Sequence, residues 1–242
     1  MGFMGGRIDR VGIRSQGSAR DERRGVKSEK SEKSENTMTR GRLFLLSPAS
    51  AHGARARPLL ELEPRTPLAR RLAGVEGVPL GDVFRYLSGL YFNGKLAYAR
   101  AFALPPSVIH GEGVYVITLS DGLLVPSVTV RTDDMRRFAA VEMGSEMYGR
   151  ALERGASTLA EQVGAECDVI FLGSVGSGKY TDLLLPIFGE RLLFPPVLLS
   201  QGQLERGAFL LRCVQEGREL EYVPLAELLS SRVKRGARRS AG

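Results

Sequence analysis

Short apolar runs alternate with amphipathic stretches along most of this chain. The runs at 43–46, 114–119, 168–172 and 191–194 are almost entirely apolar, which is typical of strands covered on both faces of a parallel sheet. Between them, apolar residues recur at helical spacing, and the pattern predicts helices at about 67–73, 80–101, 145–163 and 203–213. Strands that alternate with helices predict an α/β fold, a three-layer sandwich with a mostly parallel sheet in a single domain.

Three helix boundaries follow from local residue types. The long pattern over 80–101 contains Asn93-Gly94, where we expect a possible break. Thr132 precedes two aspartates and is predicted to be an N-cap. A further helix is expected to begin near Lys179.

The first 37 residues differ from everything that follows. They are rich in Gly, Ser, Arg and Lys and lack apolar periodicity, so we predict a disordered extension. Met38 directly precedes the first strand, and we expect it to be the true start, with 1–37 a gene-model extension. The α/β domain is predicted over 38–231 and a basic tail over 232–242.

The net charge of +7 comes from the two ends. Residues 1–42 carry eleven basic and six acidic residues, and 232–242 carry five basic residues and no acid, which leaves 18 basic and 21 acidic residues between them. A slightly acidic body with basic tails differs from a basic DNA-binding domain, because tails supply only sequence-independent attraction to phosphates.

Composition narrows the class of protein. The chain is 43% hydrophobic and 25% charged, with no run of about 20 apolar residues, so no membrane partner is expected and the cytoplasm is the default location. Two cysteines, Cys167 and Cys213, exclude a disulfide-stapled fold and are predicted to be small core residues. With only two histidines, His52 and His110, no metal site is predicted.

Ligands of open parallel sheets bind at the carboxyl ends of the strands, where the strand order reverses. Applied to the predicted strands, this rule selects the loops 47–57, 120–131 and 173–180. We therefore expect a site built from these three loops.

The third loop carries the clearest local motif. Residues 173–179 read GSVGSGK, follow an apolar strand and precede a helix, as in a Walker A phosphate loop. Tyr180 replaces the Ser or Thr that would bind magnesium, which disfavours a nucleotidase. The alternatives are a looser phosphate contact made by Gly176, Gly178, Lys179 and Tyr180, or a tight turn that needs glycines for positive φ.

The other two loops offer hydroxyl, basic and acidic groups. Ser47, Ser50 and Arg55 are candidates for binding a phosphate or carboxylate, and a solvated loop is the alternative. Ser120 is a further candidate ligand, and Asp121 a candidate catalytic base or simply a turn residue.

Lys95, Tyr98 and Arg100 lie in a segment able to approach the crevice. Interleaved basic and aromatic residues can bind a nucleotide. An amphipathic helix with a charged outer face is the stronger interpretation.

Several ordered motifs resemble a known family. They are a strand ending in Ser47 with a Pro/Ser-rich loop, FNGKLAYAR at 92–100, SDGLLVP at 120–126, and KYTDLL at 179–184 after a strand and glycine turn. Together they resemble an uncharacterised bacterial domain family with a uracil-DNA-glycosylase-like fold, related to a domain of archaeosine synthase. The resemblance spans about 43–212, and it implies a three-layer α/β sandwich and a nucleobase or nucleic-acid setting.

These observations lead to one functional expectation and its alternatives. We expect a nucleobase-, nucleotide- or nucleic-acid-associated protein with an anion-binding crevice at the carboxyl edge of the sheet. The alternatives are a non-catalytic scaffold that binds partners through its basic tails and a degenerate phosphate-loop nucleotidase. The sequence specifies neither a cofactor nor the oligomeric state, and it leaves open whether the protein is an enzyme.

Overall fold

The structure is a computed structural model, and it describes residues 40–231. These residues belong to one unit that begins at Thr39. The predictions made for 1–37 and for the tail at 232–242 concern residues outside the described part of the chain.

A six-stranded sheet lies at the centre of the fold. Its order is β4-β3-β1-β6-β7-β8, and its four inner strands are parallel while the two outer strands pair antiparallel. The strands are β1 (Gly41–Leu46), β3 (Val114–Ile117), β4 (Leu123–Leu124), β6 (Cys167–Leu172), β7 (Leu192–Phe194) and β8 (Val223–Pro224). In β1 the side chains of 43–46 are fully buried, as expected for a strand covered on both faces.

Helices connect the strands and form the outer layers. They are α1 (Arg57–Leu60), α2 (Pro67–Ala73), α3 (Leu80–Ser88), α4 (Leu90–Phe102), α5 (Thr132–Ala140), α6 (Glu146–Val163), α7 (Thr181–Phe188) and α8 (Gln203–Gln215). Residues 225–231 are also helical. A small antiparallel pair, β2 (Val78–Pro79) and β5 (Thr129–Val130), lies outside the main sheet.

The helices divide into two packed groups. α4 packs most extensively against α8, and α6 packs against α7. Because β1 leads to β3 on one side and β6 leads to β7 on the other, right-handed crossovers place α4 and α7 on opposite faces of the sheet. The predicted α/β fold with a mostly parallel sheet is confirmed.

Two predicted helix boundaries are wrong in position, and a third, the start of a helix near Lys179, is confirmed to within two residues. The helical stretch is interrupted at Gly89, which has φ 59°, and Asn93-Gly94 lies inside the continuous helix α4. Arg131 is the N-cap of α5 in place of Thr132, because the Asp134 carboxylate accepts a hydrogen bond from the Arg131 amide at 2.7 Å. Helix α7 begins at Thr181, two residues after Lys179.

Two glycines allow α4 and α8 to approach each other closely. A Cβ atom at Gly94 would lie 2.9 Å from the Gly207 Cα, and one at Gly207 would lie 2.6 Å from the Leu90 carbonyl oxygen. Both distances are shorter than a normal van der Waals contact. Gly94, the residue before Lys95, therefore serves helix packing.

The remaining core follows the sequence pattern. Cys167 and Cys213 are both free and buried, as predicted.

No helix within residues 40–231 is long and apolar enough to cross a membrane.

Candidate functional site

The strand order reverses between β1 and β6. From β1 the chain proceeds to β3 on one side, whereas β6 and β7 lie on the other. The loops that follow β1 and β6 start side by side, because the Ser47 amide donates to the Leu172 carbonyl at 3.1 Å. This is the position at which sheets of this type bind ligands.

A buried lysine lies at this point. The Lys95 Nζ donates to the Ser47 carbonyl oxygen at 2.7 Å and lies 2.8 Å from the Ser47 Oγ. Lys95 is 2% exposed and Ser47 is 7% exposed. A lysine on α4 thus meets the first residue of the loop after β1, inside the protein.

Lys95 has aromatic neighbours and no acidic partner. Its Nζ lies 4.7 Å from the Tyr91 ring centroid and 5.2 Å from that of Phe92. Within residues 40–231 no carboxylate forms an ion pair with it. Burial removes the ammonium from water without compensation by an opposite charge, and this lowers the pKa of Lys95 to about 7.

The predicted glycine loop has a packing explanation for two of its glycines. A Cβ atom at Gly173 would clash with the Phe171 ring and would lie 2.9 Å from the Ser47 Cβ, and Gly178 has φ 72°. A Cβ atom at Gly178 would also lie 2.5 Å from an oxygen of the Asp182 carboxylate. The Asp182 carboxylate thus lies close against the backbone of the glycine loop. Gly176 is exposed and has open space around its Cα.

The two residues that follow Gly178 face different environments. Tyr180 is 5% exposed, and its ring packs against Phe171 and Tyr148 at centroid distances of 5.4 and 6.4 Å. Lys179 is exposed, and its carbonyl accepts a hydrogen bond from the Tyr148 hydroxyl at 3.2 Å. Tyr180 therefore belongs to the core, whereas Lys179 is accessible to a ligand.

Gly178 and Lys179 line a cleft of about 590 Å³ at the carboxyl edge, which we call the outer cleft. Its second wall is the first turns of α6, whose N-cap Ser145 accepts a hydrogen bond from the Tyr148 amide. The cleft contains two cations, Lys179 and Arg150, and three carboxylates. Its lining residues are Gly144, Ser145, Glu146, Tyr148, Gly149, Arg150, Glu153, Ser177, Gly178, Lys179, Asp182 and Leu183.

Ser120 and Asp121 lie in a different cleft, of about 490 Å³, between the β3–β4 turn and α6. Asp121 accepts a hydrogen bond from the Ser120 hydroxyl and forms an ion pair with Arg137 at 3.0 Å. The two clefts share no lining residue. The three loops therefore do not form the single crevice that the sequence predicts, because Asp121 and Lys179 lie in different clefts.

Ser50 and Arg55 are both exposed on the loop after β1. The Ser50 Oγ accepts a hydrogen bond from the His52 amide at 3.3 Å, and an Arg55 guanidinium nitrogen lies 3.4 Å from the Tyr86 carbonyl. Neither residue lines the two clefts.

Lys95, Tyr98 and Arg100 separate in the structure. The buried Tyr98 hydroxyl contacts the Tyr222 hydroxyl at 2.8 Å, and the exposed Arg100 pairs with Glu112. Only Lys95 reaches the carboxyl edge. The available signal was its position between Phe92, Leu96 and Ala99, the apolar stripe of α4, where a charged residue is unusual.

Over residues 40–231 no group of three or more His, Cys, Asp and Glu side chains is arranged to hold a metal ion.

Compared with known proteins, the chain matches no family model, no curated protein and no solved structure.

Proposed function

We propose that this protein binds a nucleotide-type ligand, a phosphorylated molecule that carries a nucleobase, in the outer cleft. The observation that carries the proposal is that Lys179 and the N-terminal turn of α6 line the same cleft at the carboxyl edge of the sheet. A helix N-terminus has a positive partial charge and free amide groups, and a lysine adds a full positive charge. Both favour a phosphate.

The carboxylates of the cleft favour a ligand that also has hydrogen-bond donors. Glu153 and Asp182 line the cleft without an ion-pair partner among the described residues. A carboxylate only accepts hydrogen bonds, so it complements the amino and imino groups of a nucleobase and repels a simple anion. The volume of about 590 Å³ lies within the range of small-molecule sites.

Thermal unfolding of the full chain tests this proposal. The probes are free nucleobases, nucleoside mono- and triphosphates, inorganic phosphate and a short oligonucleotide. A ligand at a hundredfold excess over its Kd stabilises the folded state by about 2.7 kcal/mol. We expect a shift with nucleotides that is larger than the shift with inorganic phosphate.

Two matched variants locate the ligand. Lys179→Met should reduce the nucleotide shift, while Arg154→Met should leave it unchanged, because Arg154 is an exposed cation of α6 that lines the other cleft. An equal nucleotide shift in both variants, or no shift with any nucleotide, would contradict the proposal. A shift with the oligonucleotide alone that survives Lys179→Met would indicate binding through the basic ends of the chain.

A further inference from the structure

We propose that Ser47 and Lys95 form a nucleophile–base pair for acyl transfer, in which the Ser47 hydroxyl attacks the carbonyl carbon of an ester. This activity is separate from ligand binding in the outer cleft. It rests on the contact between Oγ and Nζ, on the burial of the pair, and on its place at the carboxyl edge between β1 and β6.

The contact geometry suits proton transfer. The Ser47 Oγ and the Lys95 Nζ are 2.8 Å apart, within hydrogen-bond distance. When Lys95 is neutral, the Ser47 hydroxyl can donate its proton to the Nζ lone pair across this contact. The second contact, from Nζ to the Ser47 carbonyl at 2.7 Å, holds the amine in place.

The surroundings favour the neutral amine. On α4 itself, Tyr91 is the titratable side chain that contacts the Lys95 amine. Tyr180, at the start of α7, approaches Tyr91. No described carboxylate pairs with the amine, and burial lowers the pKa of Lys95 to about 7. A base with a pKa near the working pH is partly unprotonated and still accepts a proton readily.

The position of Ser47 at the start of the loop after β1 supports its role as the nucleophile. Ser47 is more exposed than Lys95, 7% against 2%, and it begins a loop whose next residues reach the surface at Ser50. A substrate that enters from this edge therefore meets the hydroxyl before the amine. This favours serine as the nucleophile over a Schiff base formed by Lys95.

The reaction balances with water as the only co-reactant. The bond from Ser47 Oγ to the carbonyl carbon forms as the Oγ proton passes to Nζ, and the carbonyl π electrons move to its oxygen. When they return, the bond to the leaving alcohol oxygen breaks, and Nζ gives that oxygen the proton. A water molecule then cleaves the acyl-serine in the same way, losing its proton to Nζ, which returns it to Ser47.

A fluorophosphonate probe tests the pair directly in the full chain. Its phosphorus forms a bond to a nucleophilic serine oxygen and releases fluoride, and peptide mass spectrometry identifies the modified residue. We expect Ser47 to be labelled, at a rate that rises with pH around a midpoint near 7. Ser47→Ala should abolish the labelling, and Lys95→Met should slow it by about 100-fold or more.

Ser174→Ala is the matched control, because Ser174 is an exposed serine of the neighbouring loop, and it should leave the rate unchanged. Thermal unfolding establishes that each variant is folded. Absence of labelling in the folded natural chain, labelling of another serine, or an unchanged rate in folded Lys95→Met would each overturn the proposal. These results are independent of the nucleotide shift, so one proposal can fail while the other stands.

Discussion

Two lysines lie at the carboxyl edge of the same sheet in opposite environments. Lys179 ends a conspicuous glycine motif and is exposed beside the outer cleft, whereas Lys95 lies in an ordinary helix and is 2% exposed. The charge of an exposed lysine is screened by water and salt. Inside the protein the same group becomes a titratable base. Burial, rather than membership of a motif, distinguishes the chemically unusual lysine.

The largest expected effect is the dependence of stability on pH. The pKa of Lys95 is about 7 in the folded protein, against 10.5 for a lysine that is not buried. Between these two pH values the unfolded chain therefore binds more protons than the folded chain. Stability should then rise with pH from about 7 to 10.5, by up to about 1.4 kcal/mol per pH unit. Below pH 7 both states are protonated, and the Lys95 contribution becomes constant.

Urea unfolding of the natural chain and of Lys95→Met, at several pH values from 6 to 10, measures this effect. The difference between their free energies of unfolding cancels the other titrating groups. The natural chain should gain stability relative to the variant as the pH rises. Parallel curves would mean that Lys95 titrates normally and that the two lysines do not differ.

The next largest effect concerns the packing of α4, the helix that carries Lys95. Gly94→Ala places a methyl group against the backbone of Gly207, and overpacking of this kind costs about 1 to 3 kcal/mol. In an open helix the same change would stabilise the protein by about 1 kcal/mol. Urea unfolding measures the loss, with Gly53→Ala as control, because nothing lies within 4 Å of a Cβ atom there. Equal stability of the two variants would contradict close α4–α8 packing.

A smaller effect is expected for the acid that the sequence singled out. Asp121 pairs with Arg137, and the two side chains are 31% and 53% exposed. Exposed ion pairs contribute about 1 kcal/mol or less, so Asp121→Asn should change the free energy of unfolding by less than this amount. A loss of several kcal/mol would show that exposed charges at this edge matter as much as the buried lysine.

The sequence predicted the fold better than the site, for physical reasons. Continuous apolar runs located β1, β3, β6 and β7 because burial on both faces leaves a strong local pattern. The short outer strands β4 and β8, of two residues each, leave almost none. The end of β1 suggested Ser47 as a candidate, but its contact with Lys95 joins residues 48 positions apart, and only the packing of α4 brings them together.

The glycine motif had two interpretations in the sequence, a phosphate contact or a tight turn. Its spacing suggested a phosphate loop, yet Gly173 is required by its contact with Phe171 and Ser47, and Gly178 by its positive φ. Tyr180 follows them into the core. Spacing alone does not distinguish a glycine needed for packing from a glycine needed for a ligand.

The smallest effect completes the comparison of the two lysines. Lys179→Met removes an exposed charge that forms no ion pair with any described residue, and such substitutions change stability by about 0.5 kcal/mol or less. Urea unfolding beside Lys95→Met provides the measurement with an identical substitution. A loss of several kcal/mol for Lys179→Met would show that Lys179 contributes to the folded state as a buried group does, and the contrast between the buried lysine and the accessible one would no longer hold.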